Sequence, residues 1–256
     1  MLPWINALTA LLNHWFAVPL VALLTALGIH PAHPTHPIKN SLTMQIVVAV
    51  LLLGFFIHSR IVLSVTKPGT VQHTAEWIHE FVTNQAEQVI GHEYERYMPF
   101  VTVVLMFILI CNCFGLLPGF ETPTSDPVVP LGIALLAFVY YHYHGLREQG
   151  LVGYVKHFMG PIWWLSFLMF PIEIISHFAR IMSLTIRLYA NMLASDLLTL
   201  AFFSLIPPLV PVIFLALHFG VSLIQAYIFM LLTMIYLSIA VTHEEHGHEA
   251  AAEVPA

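Results

Sequence analysis

The sequence predicts an all-α, polytopic membrane protein with about five transmembrane helices and a cytoplasmic amphipathic helix. Of its 256 residues, 59% are apolar, and the mean hydropathy is +0.84. Only 9% are charged, whereas an average soluble chain carries roughly a quarter. A soluble fold of this size needs a charged exterior, so we expect lipid to cover this one. Long uncharged stretches between the charges give the individual spans.

The N-terminal region, 1–38, is predicted to be an external apolar segment. It lacks the basic start of a cleaved signal peptide, so we keep it in the mature chain. Within it, residues 2–29 fit an interfacial helix, a re-entrant segment or an additional span. The first span is predicted over 40–65, because the uncharged stretch between Lys39 and Arg60 reaches the roughly 20 residues that cross the hydrocarbon.

Three further apolar segments complete the membrane part. Residues 97–146 are predicted to form a helical hairpin, since two uncharged stretches flank a turn rich in proline and glycine. Residues 161–205 and 209–243 predict two unusually long helices, separated at Pro207 and Pro208. Residues 244–256 form a tail. Basic side chains lie in 58–97 and 145–157, which predicts that these segments and the tail are cytoplasmic and that the N-terminal region is outside.

The segment 74–92 is predicted to be an amphipathic helix on the cytoplasmic face. Apolar pairs recur in it at a spacing of about four residues, and glutamates occupy the other positions. An acidic polar face is unusual for a helix that binds a lipid surface. The pattern therefore favours contact with another protein chain.

Ionisable groups inside the predicted spans are the main functional candidates, because each costs roughly 2.5 to 3.5 kcal/mol to insert. Arg187 is the most telling, since its guanidinium stays charged and therefore acts as a fixed positive field that favours an ionised carboxylate beside it. Glu173 is about 21 Å away along the helix, and Asp196 is rotated by about half a turn. We therefore predict that the partner of Arg187 comes from another chain or a ligand.

Helical spacing places the remaining polar side chains. One stripe on the first long helix is formed by Glu173, His177, Arg180, Leu184, Arg187 and Asn191. On the last helix His218 and Gln225 share a face, and His218 and Asp196 share a depth if Gln225 is level with Arg187. The pattern predicts a hydrated route from the outside. Structural interpretations stay open: helix–helix hydrogen bonds for Asn191 and Gln225, a satisfied interior His218, and snorkelling of Glu173 near the interface.

The sequence predicts no metal, cofactor, nucleotide or nucleic-acid site. Cys111 and Cys113 point to different faces of a helix, and the histidine-rich segments 30–36 and 243–248 are interpreted as polar loops. None of the lysines follows a glycine, so the phosphate-binding GxxxxGK[ST] motif is absent. A net charge of -6 without a basic stripe also excludes a nucleic-acid partner.

Two segments resemble subunit a of F-type ATP synthases. They are SLTIRLYANMLASDLL at 183–198 and the segment from His218 to Val241, which contains AYIFMLLTMIYLS. The resemblance implies that Arg187 is the stator arginine facing a rotor ring of c subunits. It places Asn191, Asp196, His218 and Gln225 in the outer half-channel and the rotor interface, and Glu173 near the cytoplasmic exit.

The resemblance also implies a function, partners and a location. The chain would be a non-catalytic, proton-conducting stator subunit in a bacterial inner membrane, in contact with the c ring, the b-subunit peripheral stalk, other ATP synthase subunits and the bilayer. Its last two helices would be strongly tilted. After Asp126, where many members carry polar residues, this chain has Val128 and Pro130, so we assign the hairpin no channel role.

Three rival interpretations remain at this stage. A secondary transporter for an anionic solute would also use a buried arginine, but such folds usually show an internal repeat, and none is visible here. A membrane subunit of a proton-pumping oxidoreductase would carry lysines within its spans, whereas all three lysines lie outside them. A structural anchor is the third.

Overall fold

The structure, a computed structural model, describes residues 3–26, 38–64, 68–91, 94–117, 120, 122–159, 166–205 and 209–241. Regular structure in these ranges is helical, which confirms the predicted all-α class. The helices are α1 (Pro3–Ala26), α2 (Asn40–Val62), α3 (Thr70–Val89), α4 (Met98–Phe114), α5 (Val128–Met159), α6 (Ser166–Leu205) and α7 (Leu209–Val241). Short 3-10 turns cover Tyr94–Arg96 and Pro123–Ser125.

The number of membrane helices agrees with the prediction of about five. In the described residues, four helices are long and apolar enough to cross a membrane: Asn40–Val62, Val128–Gly150, Leu168–Phe202 and Val212–Val241. Met98–Phe114 is a shorter apolar helix. Large apolar side chains lie on the outside, such as Leu53 at 64% and Ile61 at 75% exposure. Such a surface suits hydrocarbon, where backbone polar groups must be paired within helices.

The N-terminal segment forms helix α1, which packs against the start of α2. The hydroxyl of Thr9 donates to that of Thr43 at 2.8 Å. The Asn13 side chain binds Ile38 twice, because its amide donates to the Ile38 carbonyl and its oxygen accepts from the Ile38 N–H. The segment 2–29, which fits an interfacial helix, a re-entrant segment or an additional span, thus contains a helix over 3–26 that packs against the first span.

Helix α3 is the predicted amphipathic helix. It ends before Gly91, whose φ of +76° is the left-handed conformation that commonly terminates helices. Its inner face carries Val82 and Ala86, which are buried, and Gln85 accepts a hydrogen bond from the Tyr227 hydroxyl of α7 at 3.0 Å. Trp77 lies on the outer face with 67% exposure. The helix therefore has a free apolar group beyond its contact with the bundle.

Helices α4 to α7 form the core that positions the polar residues. Ile108 of α4, Leu188 of α6 and Phe229 of α7 are fully buried in one apolar cluster. Because lipid is as apolar as these side chains, close van der Waals packing rather than burial from water stabilises such a bundle. Helix α5 continues beyond the predicted hairpin limit of 146, with a break at Gly150, where φ is +70°.

Candidate functional site

The Asp196 carboxylate lies where α6, α7 and the α4–α5 connection meet. The hydroxyl of Thr122 donates to its Oδ1 at 2.9 Å, and Nδ1 of His218 lies 3.9 Å from the same oxygen. The spacing predicted a shared depth for Asp196 and His218 on the condition that Gln225 is level with Arg187. In the structure Gln225 is bonded to Asn191, one turn after Arg187, and Asp196 and His218 are in contact. The connection that supplies Thr122 received no channel role from the sequence, and the structure brings it to this carboxylate.

The contacts of His218 determine which of its nitrogens faces Asp196. The ring is 1% exposed, and its Nε2 lies 3.4 Å from the Asn112 carbonyl oxygen. A carbonyl only accepts hydrogen bonds, so Nε2 carries the hydrogen. In the neutral ring Nδ1 then presents a lone pair to Asp196, and it becomes a donor when the ring takes a proton. Asp196 and His218 are thus two ionisable side chains in contact at this point.

Asn112 anchors this arrangement from α4, and the sequence analysis missed it. Its side-chain oxygen accepts a hydrogen bond from the Thr124 hydroxyl at 2.6 Å, and both residues are fully buried. The bond ties the 3-10 turn Pro123–Ser125 to α4. It therefore fixes the turn beside which Thr122 reaches Asp196.

A second polar contact joins α6 and α7. On α6 it lies about one turn before Asp196, and on α7 two turns after His218. The Asn191 amide donates to Oε1 of Gln225 at 3.0 Å. Between His218 and Gln225 lies Ser222, and all three α7 side chains are at most 2% exposed. Among the described residues, Ser222 Oγ and Gln225 Nε2 have no hydrogen-bond partner. The predicted polar face of α7 is thus present and buried.

Arg187 is half-buried on α6, one turn before Asn191. None of the ion pairs formed between described residues involves its guanidinium. The stripe predicted from spacing is not uniformly accessible, since His177 and Leu184 are buried and Asn191 is exposed. Arg187 therefore lies between the buried and the exposed part of the stripe, at the edge of the bundle.

Glu173 forms a separate cluster near the start of α6. Its carboxylate Oε1 lies 3.5 Å from His177 Nε2 and 3.9 Å from an Arg180 nitrogen. The Arg180 guanidinium also lies over the ring of Tyr236, 5.1 Å from its centre. The imidazole of His177 and the guanidinium of Arg180 thus both contact this carboxylate on one side of α6.

A cavity of about 1210 Å³ leads to Asp196. Its walls come from α1, the start of α2, the α4–α5 connection, α6 and α7. Asp126 lies on the wall, where it accepts a hydrogen bond from Ser41 at 2.9 Å and pairs with Lys39 at 3.7 Å. Polar groups of α1, namely Asn6, Thr9 and Asn13, also line it. Sequence reasoning did not assign them because only the fold brings α1 to this place.

The described residues hold no group of three or more histidine, cysteine or acidic side chains that could bind a metal ion. The histidine-rich segments 30–36 and 243–248 lie outside the described residues. Cys111 is buried and Cys113 half-buried, and both are free thiols.

Gly115 is a sensitive position in this site, and we predict that Gly115→Ala destabilises it. A Cβ here would overlap the Thr122 hydroxyl and lie 3.0 Å from Cε1 of His218. Such overpacking costs about 1 to 3 kcal/mol, so Thr122 and His218 must move relative to Asp196. We expect the thermal stability of the purified protein to fall accordingly. Gly132→Ala is the control, because no atom lies within 4 Å of its Cβ; equal loss in both variants contradicts the prediction.

Comparison with known proteins assigns the chain to a family. The profile of the ATP synthase A chain family matches residues 41–238. The chain belongs to this family. It is 55% identical to ATP synthase subunit a of Koribacter versatilis over 94% of this chain and 97% of that protein. It is 46% identical to subunit a of Solibacter usitatus (87% and 95% covered) and 42% identical to that of Helicobacter hepaticus (70% and 80% covered).

Membership in the ATP synthase A chain family decides the class of function. The chain is a multi-pass, proton-conducting stator subunit of the membrane sector of ATP synthase, and it carries no catalytic site of that enzyme. The anion transporter, the oxidoreductase subunit and the structural anchor are thereby set aside. The helix α1 lies before the first residue that the family profile matches.

Proposed function

We propose that Asp196, His218 and Glu173 carry protons between the two sides of a bacterial inner membrane and a rotor ring of c subunits. Arg187 supplies a fixed positive charge beside the ring, and Asn191 and Gln225 form the polar lining between them. In the proposed orientation the N-terminal region and the cavity face the outside, and the tail is cytoplasmic. The observation that carries this proposal is the continuity of the polar groups. The cavity reaches Asp196, Asp196 contacts His218, and the buried polar face of α7 continues to Gln225.

The outer half of the path loads the rotor. A proton from the cavity binds at Asp196 or at Nδ1 of His218, which lie 3.9 Å apart, and it passes between them when the two side chains approach to hydrogen-bond distance. It then passes along the buried face that carries Ser222 and Gln225 to a carboxylate of the rotor. A neutralised carboxyl group can enter lipid, whereas the ionised one costs roughly 2.5 to 3.5 kcal/mol there. Loading therefore permits the ring to turn.

The inner half of the path unloads the rotor. When the protonated group completes its turn and meets Arg187, the fixed cation favours the ionised carboxylate, and the proton leaves toward Glu173. The same cation opposes direct passage of a proton between the two half-channels. Each proton that crosses 100 mV releases about 2.3 kcal/mol, which drives rotation in one direction.

Two surfaces suit the proposed partners. The face of α6 beside Arg187 exposes Phe178, Met182 and Ile186 at 67%, 50% and 53%. Spaced by four residues, they form one apolar strip that we assign to the c ring. On α3, the exposed Trp77 and the neighbouring Glu80 suit a protein surface, which we assign to the b-subunit peripheral stalk.

Cysteine accessibility tests the direction of the outer path. Thr199 lines the cavity one turn past Asp196. In a parent carrying Cys111→Ser and Cys113→Ser, Thr199→Cys is expected to react with a membrane-impermeant thiol reagent added from the outside and thereby to lose most proton conduction. The same reagent added on the cytoplasmic side is expected to have no effect.

Leu197→Cys is the matched control, because Leu197 is 58% exposed on the same helix and does not line the cavity. Its conduction is expected to resist the reagent from both sides, since thiols in lipid remain protonated and unreactive. Block of Thr199→Cys from the cytoplasmic side alone would reverse the proposed orientation. Equal block of both variants would remove the cavity from the path.

A further inference from the structure

His177 connects the Glu173 carboxylate to a buried tyrosine of α5. The Tyr141 hydroxyl lies 2.9 Å from His177 Nδ1, and Glu173 Oε1 lies 3.5 Å from Nε2. The ring is 8% exposed and Tyr141 3%, whereas the Glu173 side chain is 30% exposed. One buried imidazole thus has a hydroxyl at one nitrogen and a partly exposed carboxylate at the other.

This arrangement satisfies the imidazole in both of its protonation states. A hydroxyl both donates and accepts, so Tyr141 donates to Nδ1 when that nitrogen has a lone pair and accepts when it carries hydrogen. Nε2 faces the carboxylate either as an N–H donor or as a base. A buried polar group without a partner costs roughly 1 to 3 kcal/mol, and neither state of His177 incurs that cost. The site therefore permits the ring to gain and lose a proton in place.

Among the described residues, charged and titratable groups from three helices lie at or next to the ring. Those of α6 are Glu173 and Arg180, those of α5 are Tyr141 and His142, and that of α7 is Tyr236, which packs against Tyr141 and Arg180. The Glu173 carboxylate, 3.5 Å from Nε2, stabilises the imidazolium, whereas the positive charge of Arg180 opposes it. Arg180 itself pairs with that carboxylate and lies over the Tyr236 ring.

We propose that His177 stores a proton at the cytoplasmic exit and exchanges it with Glu173. In the transfer the Nε2–H bond breaks and an O–H bond forms on the carboxylate. The neutral ring keeps its remaining hydrogen on Nδ1, which donates a hydrogen bond to the Tyr141 oxygen. The reverse step recharges the ring from the cytoplasm through Glu173. Tyr141 is a positioning residue, since it keeps Nε2 directed at the carboxylate. The proposal rests on the role of Glu173 proposed above.

ATP-driven proton uptake by the whole complex, measured against cytoplasmic pH in inverted vesicles, tests this proposal. The unaltered complex is expected to show a step in rate between about pH 5 and 8. His177→Gln keeps a hydrogen-bonding side chain but cannot titrate, so the step is expected to disappear. The rate near pH 7 is expected to fall about tenfold, less than the 10² to 10⁴ of a sole proton carrier, because the partly exposed Glu173 still exchanges with water.

Two further variants separate this role from a structural one. Tyr141→Phe keeps the imidazole and is expected to retain a step, displaced in pH, because the ring loses its partner at Nδ1. His144→Gln is the control. His144 is buried like His177, but it lies on α5 and packs against Tyr97 and Tyr140. This variant is expected to keep the native profile. Co-purification of each variant with the other subunits confirms assembly. A native pH step in assembled His177→Gln overturns the proposal, as does loss of the step in His144→Gln.

Glu173→Gln distinguishes failure of this proposal from failure of the proposed path. If His177 acts through Glu173, Glu173→Gln slows uptake, and adding His177→Gln to it has little further effect, because two groups that act as one unit are not additive. A slow Glu173→Gln with additive loss in the double variant overturns only the role of His177. A native rate in Glu173→Gln removes Glu173 from the exit and overturns both.

Discussion

Arg187→Ala is expected to abolish proton-driven ATP synthesis while the subunit still assembles. Assembly is retained because Arg187 is half-buried and forms no ion pair with the described carboxylates, so its removal leaves none of them unpaired. Function is lost because the rotor carboxylate loses the cation that ionises it. At 4 Å and an effective dielectric constant of 20, that attraction is about 4 kcal/mol, or roughly a thousandfold in the ionisation equilibrium. ATP synthesis by inverted vesicles under an imposed proton gradient measures the effect.

Arg180→Ala is the matched control, since it removes the same charge two turns earlier on α6. Arg180 is already paired with Glu173 and lies over Tyr236, so we expect it to influence the exit and not the ionisation of the rotor group. Synthesis is expected to decline by a few-fold only. Full synthesis in Arg187→Ala, or equal loss in the two variants, would contradict the role given to Arg187.

Asp196→Asn is expected to reduce proton conduction through the membrane sector by about 100-fold or more, the usual effect of removing a general acid or base. Asparagine has nearly the same shape, and its amide oxygen still accepts the Thr122 hydrogen bond, so the local packing is kept. What disappears is the ability of this position to take a proton and pass it to His218. Passive conduction in vesicles stripped of the catalytic head is the measurement.

Asp126→Asn is the control for Asp196→Asn. Both carboxylates line the same cavity, but Asp126 binds Ser41 and Lys39 near the start of α2, whereas Asp196 contacts His218. We expect conduction in Asp126→Asn to stay within a few-fold of the native value. If Asp126→Asn blocks conduction and Asp196→Asn does not, protons take a route along the hairpin and not along α6.

Relative depths along the regular helices were predictable from the sequence. A rise of about 1.5 Å per residue fixes the depths within each long helix, so Asp196 and His218 come to a similar depth once the register of the two helices is assumed. The contact itself required the fold. The same reasoning placed His218 and Gln225 on one face, and both are buried there. The first span, predicted over 40–65, begins where α2 (Asn40–Val62) begins, because length and hydropathy determine a span.

Contacts made by irregular segments were not predictable. Thr122 lies 74 positions before Asp196 in a connection without periodicity, so neither spacing nor composition brings the two together. Val128 and Pro130 depart from the family pattern and indicated no channel role for this connection. In the structure its Thr122 hydroxyl binds Asp196, and Asn112 of α4 binds Thr124 beside it. Helix α1 poses the same difficulty, because its polar groups acquire a role only when Asn13 fixes it beside Ile38.

We expect the Arg187 guanidinium to pair with a carboxylate from a neighbouring chain. A structure of the assembled membrane sector, resolved well enough to show side chains, tests it most directly by the distance from the Arg187 guanidinium to the nearest carboxylate. We expect that carboxylate to belong to a rotor subunit, within about 4 to 6 Å, the range in which an opposite charge favours ionisation. An Arg187 that faces lipid away from the ring, or one paired with Glu173 or Asp196 of its own chain, would contradict the account.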